Sequence, residues 1–525
     1  MNEPQTARRW IFAALAALLA LFVCAFLVVN LKGFVRFCDA DMQADIQVAK
    51  LMRDQGTLFP SGWIFGNQVY VAATPVLCAL LMHVVPSANL AMGLATSIMG
   101  ALVLLSLFYM IRPFAGRIGR LSALLALCGG IACSSIAVSR MGQLLFVMAS
   151  YYACYAVTAF LVWGLWARLR FVDRSRGVAL LTPLALALSF AMGMQSLRQT
   201  QVMVLPLLGL EGLWLLKDLV RERRVVRLKP IVFTVLVAAA NVLGLIAIRA
   251  IAPEQQTIFD SFPTDFTVPL AGRLQSFGSA FLDAAGLAAD GVRTPLPVFI
   301  PALALLLLTA GDLLLQWLRP RGGNGRALRA LQGLCLLAVG SVLPVTFLSS
   351  FVMRSTYLFM YYPLAALCAC DLLERSGARW RPLAAGALCA ICLANFASGV
   401  LPCVVESFNP EKTDPMRVAD WMAENDYDTL YGYWWDVGRV AAAADGRIEG
   451  GGWFARPLQV QPYLTLTDIY GADCNDWAVY MLREEESAEF FSFAGEMGAT
   501  LTPQAEIGKY ALYTSDMPLM YYADR

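Results

Sequence analysis

Three aspartates, Asp39, Asp41 and Asp45, fall in the polar stretch RFCDADMQADIQVAKLMRDQ that follows the first long apolar segment of the chain. A carboxylate is a natural general base for a hydroxyl group, so such a stretch is a candidate for proton transfer. If Asp41 to Gln55 is helical, Asp41, Asp45, Val48 and Met52 share one face, because residues three and four apart are neighbours. The expectation is one or two carboxylates at a bilayer surface, on a helix whose apolar side rests on the membrane. The plain alternative is a solvated loop with ordinary surface acids. Three arginines also stand out, Arg140 in SRMGQ, Arg198 in SLRQTQ and Arg354 in MRSTY, each at the end of an apolar run. Charged groups there are costly and tend to be paired or functional; the alternative is an arginine reaching out to lipid phosphates. His83 is the only histidine, and there is no Ser/His/Asp set, no HExxH and no phosphate-cradling glycine loop. Histidine-based acid–base chemistry and multi-histidine metal sites are therefore nearly excluded.

The elements that must position these residues are membrane helices. Of the 525 residues 58% are hydrophobic and 15% charged, against about half and a quarter in soluble domains. Mean hydropathy is +0.60, and the excess is gathered into long runs, which marks a polytopic membrane protein. A net charge of +2 carries no nucleic-acid signal. Arg8 and Arg9 precede the run Trp10–Val29, which is long enough to span and has no small-residue cleavage site after it, so a retained first helix is expected. Most of the thirteen cysteines lie inside apolar runs, where they act as small hydrophobes; the spacing of Cys38, Cys403 and Cys474 suggests neither a disulfide framework nor a metal site.

Twelve apolar runs are long enough to matter, but twelve crossings place nearly every short basic loop on the wrong side. Removing Val69–Val85, a short run with Pro75 and His83, repairs all of them. The expectation is about eleven transmembrane helices, with the N-terminus cytoplasmic and 69–85 re-entrant or lying along the outer surface. The outer face then holds the loop 32–89, a loop 252–295 with a short amphipathic helix at Ala271–Ala285 and a lid-like length, and the tail. The membrane part is expected to run from 1 to 403. From 404 to 525 the composition is that of a soluble domain, with strands at Thr429–Tyr433, Trp477–Leu482 and Tyr510–Thr514 and helices after Asp414 and at Ser487–Met497, an α/β module outside the cytoplasm. Its Tyr431, Tyr433, Trp434, Trp435 and Trp453 suit stacking on a sugar, but a plain aromatic core is the favoured reading.

An aspartate just after the first helix, then an amphipathic helix ending in Gly and Pro, resembles the GT-C fold of integral-membrane glycosyltransferases. The likeness is to the aminoarabinose- and O-mannosyl-transferase-like members. Setting Gly56 on the glycine of that motif places Asp41 on the family's catalytic aspartate, fifteen positions earlier (56 − 41), and Pro60 on its proline. Asp39 is the choice after a small shift. Arg354 with Tyr357 resembles the family's arginine and tyrosine before a late helix. The Glu-x-Arg-Tyr that usually follows the aspartate is replaced here by Met42, Gln43, Ala44 and Asp45, so a cation for the donor phosphate must come from Lys50, Arg53, Arg140 or Arg198. The tail lacks the acceptor-recognition signature of oligosaccharyltransferases.

The resemblance implies transfer of a sugar from a polyprenyl-phosphate donor to a hydroxyl of a glycan, lipid or protein acceptor, on the outer face of the plasma membrane. An aspartate would be the base of an inverting displacement, and Asp45 would serve the acceptor or a divalent cation; the acids alone do not decide whether any cofactor is used. The rival readings are a membrane assembly or binding protein on a transferase scaffold, and a transporter of a lipid-linked or polar solute. The spans are poor in acids and show no internal repeat, which speaks against the transporter.

Overall fold

The computed structural model describes residues 5–66, 68–131, 141–172, 177–223, 225, 227–252, 269–288, 294–319, 322–348, 353–454, 456–461, 463–470 and 478–520. Arg140, and residues 253–268 and 289–293 of the loop 252–295, lie outside them. Among the described residues, eight helices are long and apolar enough to cross a membrane, from Gln5–Leu31 through Ala88–Ile111 to Arg381–Ser407. Three further apolar runs form the helices Arg117–Ile131, Ala153–Phe171 and Leu205–Glu222, which carry charged residues near an end. The run Val69–Val85 contains a helix only at Thr74–Leu81. Eight residues rise about 12 Å, too little to cross a hydrocarbon core of about 30 Å.

The chain divides into two compact units, Met1–Val28 with Ser97–Val405, and Val29–Thr96 with Glu406–Arg525. In the first, Val178–Gln195 and Leu228–Ile251 pack through small residues. A Cβ on Gly193 would meet the Asn241 carbonyl at 2.1 Å, and one on Gly244 would meet the Phe190 carbonyl at 2.1 Å. Ser189 Oγ donates to the Val237 carbonyl (2.9 Å) and Asn241 Nδ2 to the Ser189 carbonyl (3.1 Å). Close backbones joined by polar cross-links are how helices hold together where water gives no hydrophobic drive. Outward faces carry exposed leucines such as Leu180 and Leu243, suited to lipid.

The second unit joins the first loop to the tail. Among the described residues there are seven strands: β1 (Trp63–Ile64), β2 (Thr429–Tyr433), β3 (Glu449–Trp453), β4 (Thr465–Leu466), β5 (Ala478–Arg483), β6 (Leu501–Ile507) and β7 (Tyr510–Ser515). Five form a mixed sheet in the order β3-β2-β5-β7-β6, with β2 parallel to β3 and β5. Alternation along β2 and β5 sends Leu430, Val479 and Met481 into one core and Tyr431, Tyr480 and Leu482 into another. Tyr431 stacks on Tyr470 and Tyr480 with Trp453 fully buried, so Tyr431 and Trp453 of the aromatic cluster are core, while Tyr433 and Trp435 are half-buried. The helix expected after Asp414 is Asp414–Glu424, with Thr413 in the cap position and Asp414 as its first residue. β1 pairs antiparallel with β4, stitching the first loop to the tail at Trp63–Leu466. Arg36 adds an ion pair to Glu406 (2.6 Å).

Candidate functional site

The helix Ala40–Gln55 begins one residue before the sequence expectation and ends at Gly56, whose φ of 64° is the left-handed turn that glycine adopts without strain. Asp39 caps its start; its backbone is extended and its Oδ1 accepts the Met42 N–H at 3.0 Å. Asp41 lies in the first turn and is half-buried, whereas Asp39 and Asp45 are 4% and 2% exposed. Tyr70 donates its hydroxyl to Asp45 Oδ1 at 2.6 Å. Burial pushes the Asp45 carboxyl well above the ordinary aspartate range; the Tyr70 bond opposes this, and the charges of Asp41 and Asp39 add to it.

The apolar side of this helix does not rest on a membrane. Ala44, Val48, Ala49 and Met52 are buried in protein, because the helix packs against Thr74–Leu81 and against Trp434–Ala443 of the tail. Gly438 makes the second contact close: a Cβ there would lie 2.5 Å from the Ala40 Cα. Lys50 Nζ donates to the Gly446 carbonyl at 3.0 Å, so its ammonium ties the helix to the tail. Asn89, at the start of the separate helix Ala88–Ile111, bonds to the same part of the tail, with Nδ2 to the Ala442 carbonyl at 2.7 Å. The tail thus fixes both the start and the middle of the aspartate helix.

Arg198 belongs to the other unit and sits at a break. Val178–Gln195 stops at Ser196, whose backbone is extended and whose Oγ accepts the Arg198 N–H at 3.1 Å. One turn, Leu197–Gln199, then enters a π-helical turn, Thr200–Val204, a form that often marks functional positions. The guanidinium carbon of Arg198 is 4.4 Å from the ring centre of Tyr152, 5.6 Å from Tyr155 and 5.5 Å from Tyr357. Arg354 is exposed at the start of the turn Ser355–Leu358 that carries Tyr357, and its carbonyl accepts the Tyr357 N–H at 3.1 Å. The helix Leu270–Ala284, the expected amphipathic piece of the 252–295 loop, packs on that same turn.

Arg198, Arg354 and Tyr357 therefore come together, as do Asp39, Asp41, Asp45 and Lys50 on one helix; Arg140 lies outside the described residues. Sequence reading missed Tyr70, Tyr152, Tyr155 and Gly438. Tyr152 and Tyr155 stand three apart, a usable signal, but Phe146–Trp166 reads as one continuous span. The helix in fact begins at Ala153, after Met148 and Ser150 adopt positive φ values of 63° and 44°. For a divalent cation the acids fit poorly: Asp39 caps a helix, and Asp45 is bonded to Tyr70 and biased toward its neutral form. Among the described residues no group of three His, Cys, Asp or Glu side chains is placed to hold a metal ion.

No protein-family profile matches the chain, and no curated protein matches it by sequence. Solved structures do. ArnT from Cupriavidus metallidurans bound to undecaprenyl phosphate superimposes with a TM-score of 0.60 at 10% identity, covering 97% of this chain and 99% of that one. The apo form of the same protein also scores 0.60, at 12% identity, covering 99% of this chain and 100% of that one. The chain has the GT-C fold. At this identity what is shared is the path of the backbone, over the whole length of both proteins, and it includes the multi-pass membrane part and the small sheet domain.

Proposed function

We propose that this protein is a membrane glycosyltransferase that moves a sugar from a polyprenyl-phosphate donor to an acceptor hydroxyl. One observation carries the reading: the fold matches, almost end to end, a protein solved with undecaprenyl phosphate bound. In this reading the membrane part covers 1–403 and the tail 404–525. The basic loops and the N-terminus face the cytoplasm, and the first loop and tail face outward.

Asp41 is the assigned base, because it is the least buried of the three aspartates and stands fifteen positions before Gly56, where the resembled family carries its catalytic aspartate. Its carboxylate takes the acceptor hydroxyl's proton while the acceptor oxygen bonds to the anomeric carbon. The bond from that carbon to the phosphate oxygen breaks, the configuration inverts, and polyprenyl phosphate leaves with the electron pair. A cation must meet that charge, and Arg198 with Arg354 and Tyr357 are assigned the role. Lys50 is assigned to positioning the aspartate helix.

The test compares wild type with Asp41→Asn, each in proteoliposomes with a panel of radiolabelled polyprenyl-phosphate sugars and an extract of envelope glycans and lipids. The expected result is label transfer by the wild type, reduced about 10²–10⁴-fold in the variant, with an unchanged unfolding temperature. Failure of the wild type to bind any polyprenyl phosphate rejects the reading.

A further inference from the structure

In the membrane unit, a cavity of about 300 Å³ opens among the helices Ala153–Phe171, Leu205–Glu222 and Asn324–Gly340. Its wall includes Arg170, Phe171, Trp214, Asp218, Arg227 and Arg326. It lies among residues that neither Asp41 nor Arg198 uses, and it is independent of the transferase reading. Its back is an ion cluster of one arginine and two carboxylates. Arg170, buried, donates to Glu211 Oε1 at 3.0 Å and to Asp218 Oδ2 at 3.2 Å, and Glu211 also accepts the Trp166 indole N–H at 2.7 Å.

The front of the cavity is cationic. The Trp214 ring has Lys217 Nζ at 4.8 Å, the Arg170 guanidinium at 4.9 Å and the Arg326 guanidinium at 5.9 Å from its centre. Among the described residues, no carboxylate lies within ion-pair distance of Lys217 or Arg326. Arg170 is paired with Glu211 and Asp218, but Lys217 and Arg326 on the same indole are not, so they favour an anion between them, and guanidinium groups match the oxygens of a phosphate. The amino end of Asn324–Gly340 also faces the cavity and adds partial positive charge.

What surrounds the cavity decides the form in which the phosphate arrives. The helix that supplies Trp214 and Asp218 exposes Leu213 (60%), Leu216 (58%) and Val220 (70%) in the same turns. An ion from solution has no use for such a flank, whereas the acyl chains of a lipid lie along it. We propose that this cavity binds the phosphate headgroup of an anionic phospholipid, with Arg227 and Arg326 as charge partners and Trp214 as the floor.

The experiment uses the full-length protein in nonionic detergent and follows its unfolding temperature during titration with short-chain phosphatidylglycerol, short-chain phosphatidylcholine or inorganic phosphate. The expected result is a saturable rise with phosphatidylglycerol alone. Arg326→Glu, at an exposed position where folding is not at stake, should weaken the apparent affinity roughly tenfold or more, and Arg227→Gln by about fivefold. Arg379→Glu, which changes the same charge outside the cavity, should leave it unaltered. Equal binding by Arg326→Glu and wild type, or equal effects of the two lipids, overturns the proposal. Full reproduction of the effect by inorganic phosphate at the same concentration overturns the lipid as its source and leaves a soluble-anion site.

Discussion

The aspartate helix and the Arg198 cluster are held by opposite means. Ala40–Gln55 is regular from a capped start to a left-handed glycine end, and its precision is borrowed from packing: Gly438 lets the tail close on Ala40, and Lys50 bonds to a tail carbonyl. Arg198 owes its place to irregular backbone. A helix ends at Ser196, a π-turn follows, and the tyrosine that meets it at 4.4 Å comes from a segment with two positive φ values. A carboxylate that must accept a proton gains from a fixed distance and a tuned neighbourhood, which a packed helix provides. A cation at membrane depth gains from a helix break, because the break turns the side chain inward and aromatic faces replace part of its water.

This comparison is sharpest where the two regions fail differently. The largest effect is expected from Arg198→Gln, which removes the charge that Tyr152, Tyr155 and Tyr357 surround. Transfer should fall about 10²–10³-fold, with donor binding weakened too, while Arg198→Lys recovers only part because it lacks the planar stacking face. Assay of transfer alongside polyprenyl-phosphate binding separates the two; an unchanged rate in Arg198→Gln removes Arg198 from the mechanism.

The next effect concerns Asp45 and pH. Its folded carboxyl is pushed up by burial, so the protonated form stabilises the fold. That contribution is complete below the unfolded aspartate value of about 3.9 and is lost as pH rises through the folded value. Asp45→Asn keeps an acceptor for Tyr70 and removes the titration. Its unfolding temperature should therefore decline less than that of wild type between about pH 4 and 8. Parallel curves for the two proteins contradict this.

The smallest effect is structural. Asp39→Ala should cost about 1 kcal/mol through loss of the cap, while Asp39→Asn, which still accepts the Met42 N–H, should unfold like wild type. Chemical denaturation measures both. If Asp39→Asn is stable yet inactive, the base is Asp39 and the assignment to Asp41 is wrong.

Much of this was legible in the chain. The helix after Asp39 was readable to within a residue because its acids, its apolar spacing and Gly56 are local signals. β2 was readable from its alternation at Thr429–Tyr433. β3 was not, because EGGGW has no strand-forming side chains until Trp453; its glycines are there for contact, since a Cβ on Gly452 would sit 2.7 Å from Trp434. β6 was hidden by Pro503, which is tolerated because the strand lies at the sheet edge with a bulge beside it.

By itself the sequence determined what depends on composition and short spacing: a polytopic chain, a polar first loop with its aspartates on one helix, a short segment at 69–85, and a tail of soluble composition. The tertiary structure decided what depends on residues hundreds of positions apart. It joined the loop to the tail in one unit, turned the helix face expected on lipid toward Trp434–Ala443, made Asp45 a buried partner of Tyr70, and gathered three tyrosines around Arg198. The physical reason is that an apolar face specifies burial but not what buries it. Lipid and protein satisfy a row of Val, Ala and Met equally, and only the close fit at Gly438 and the tail carbonyls selects between them.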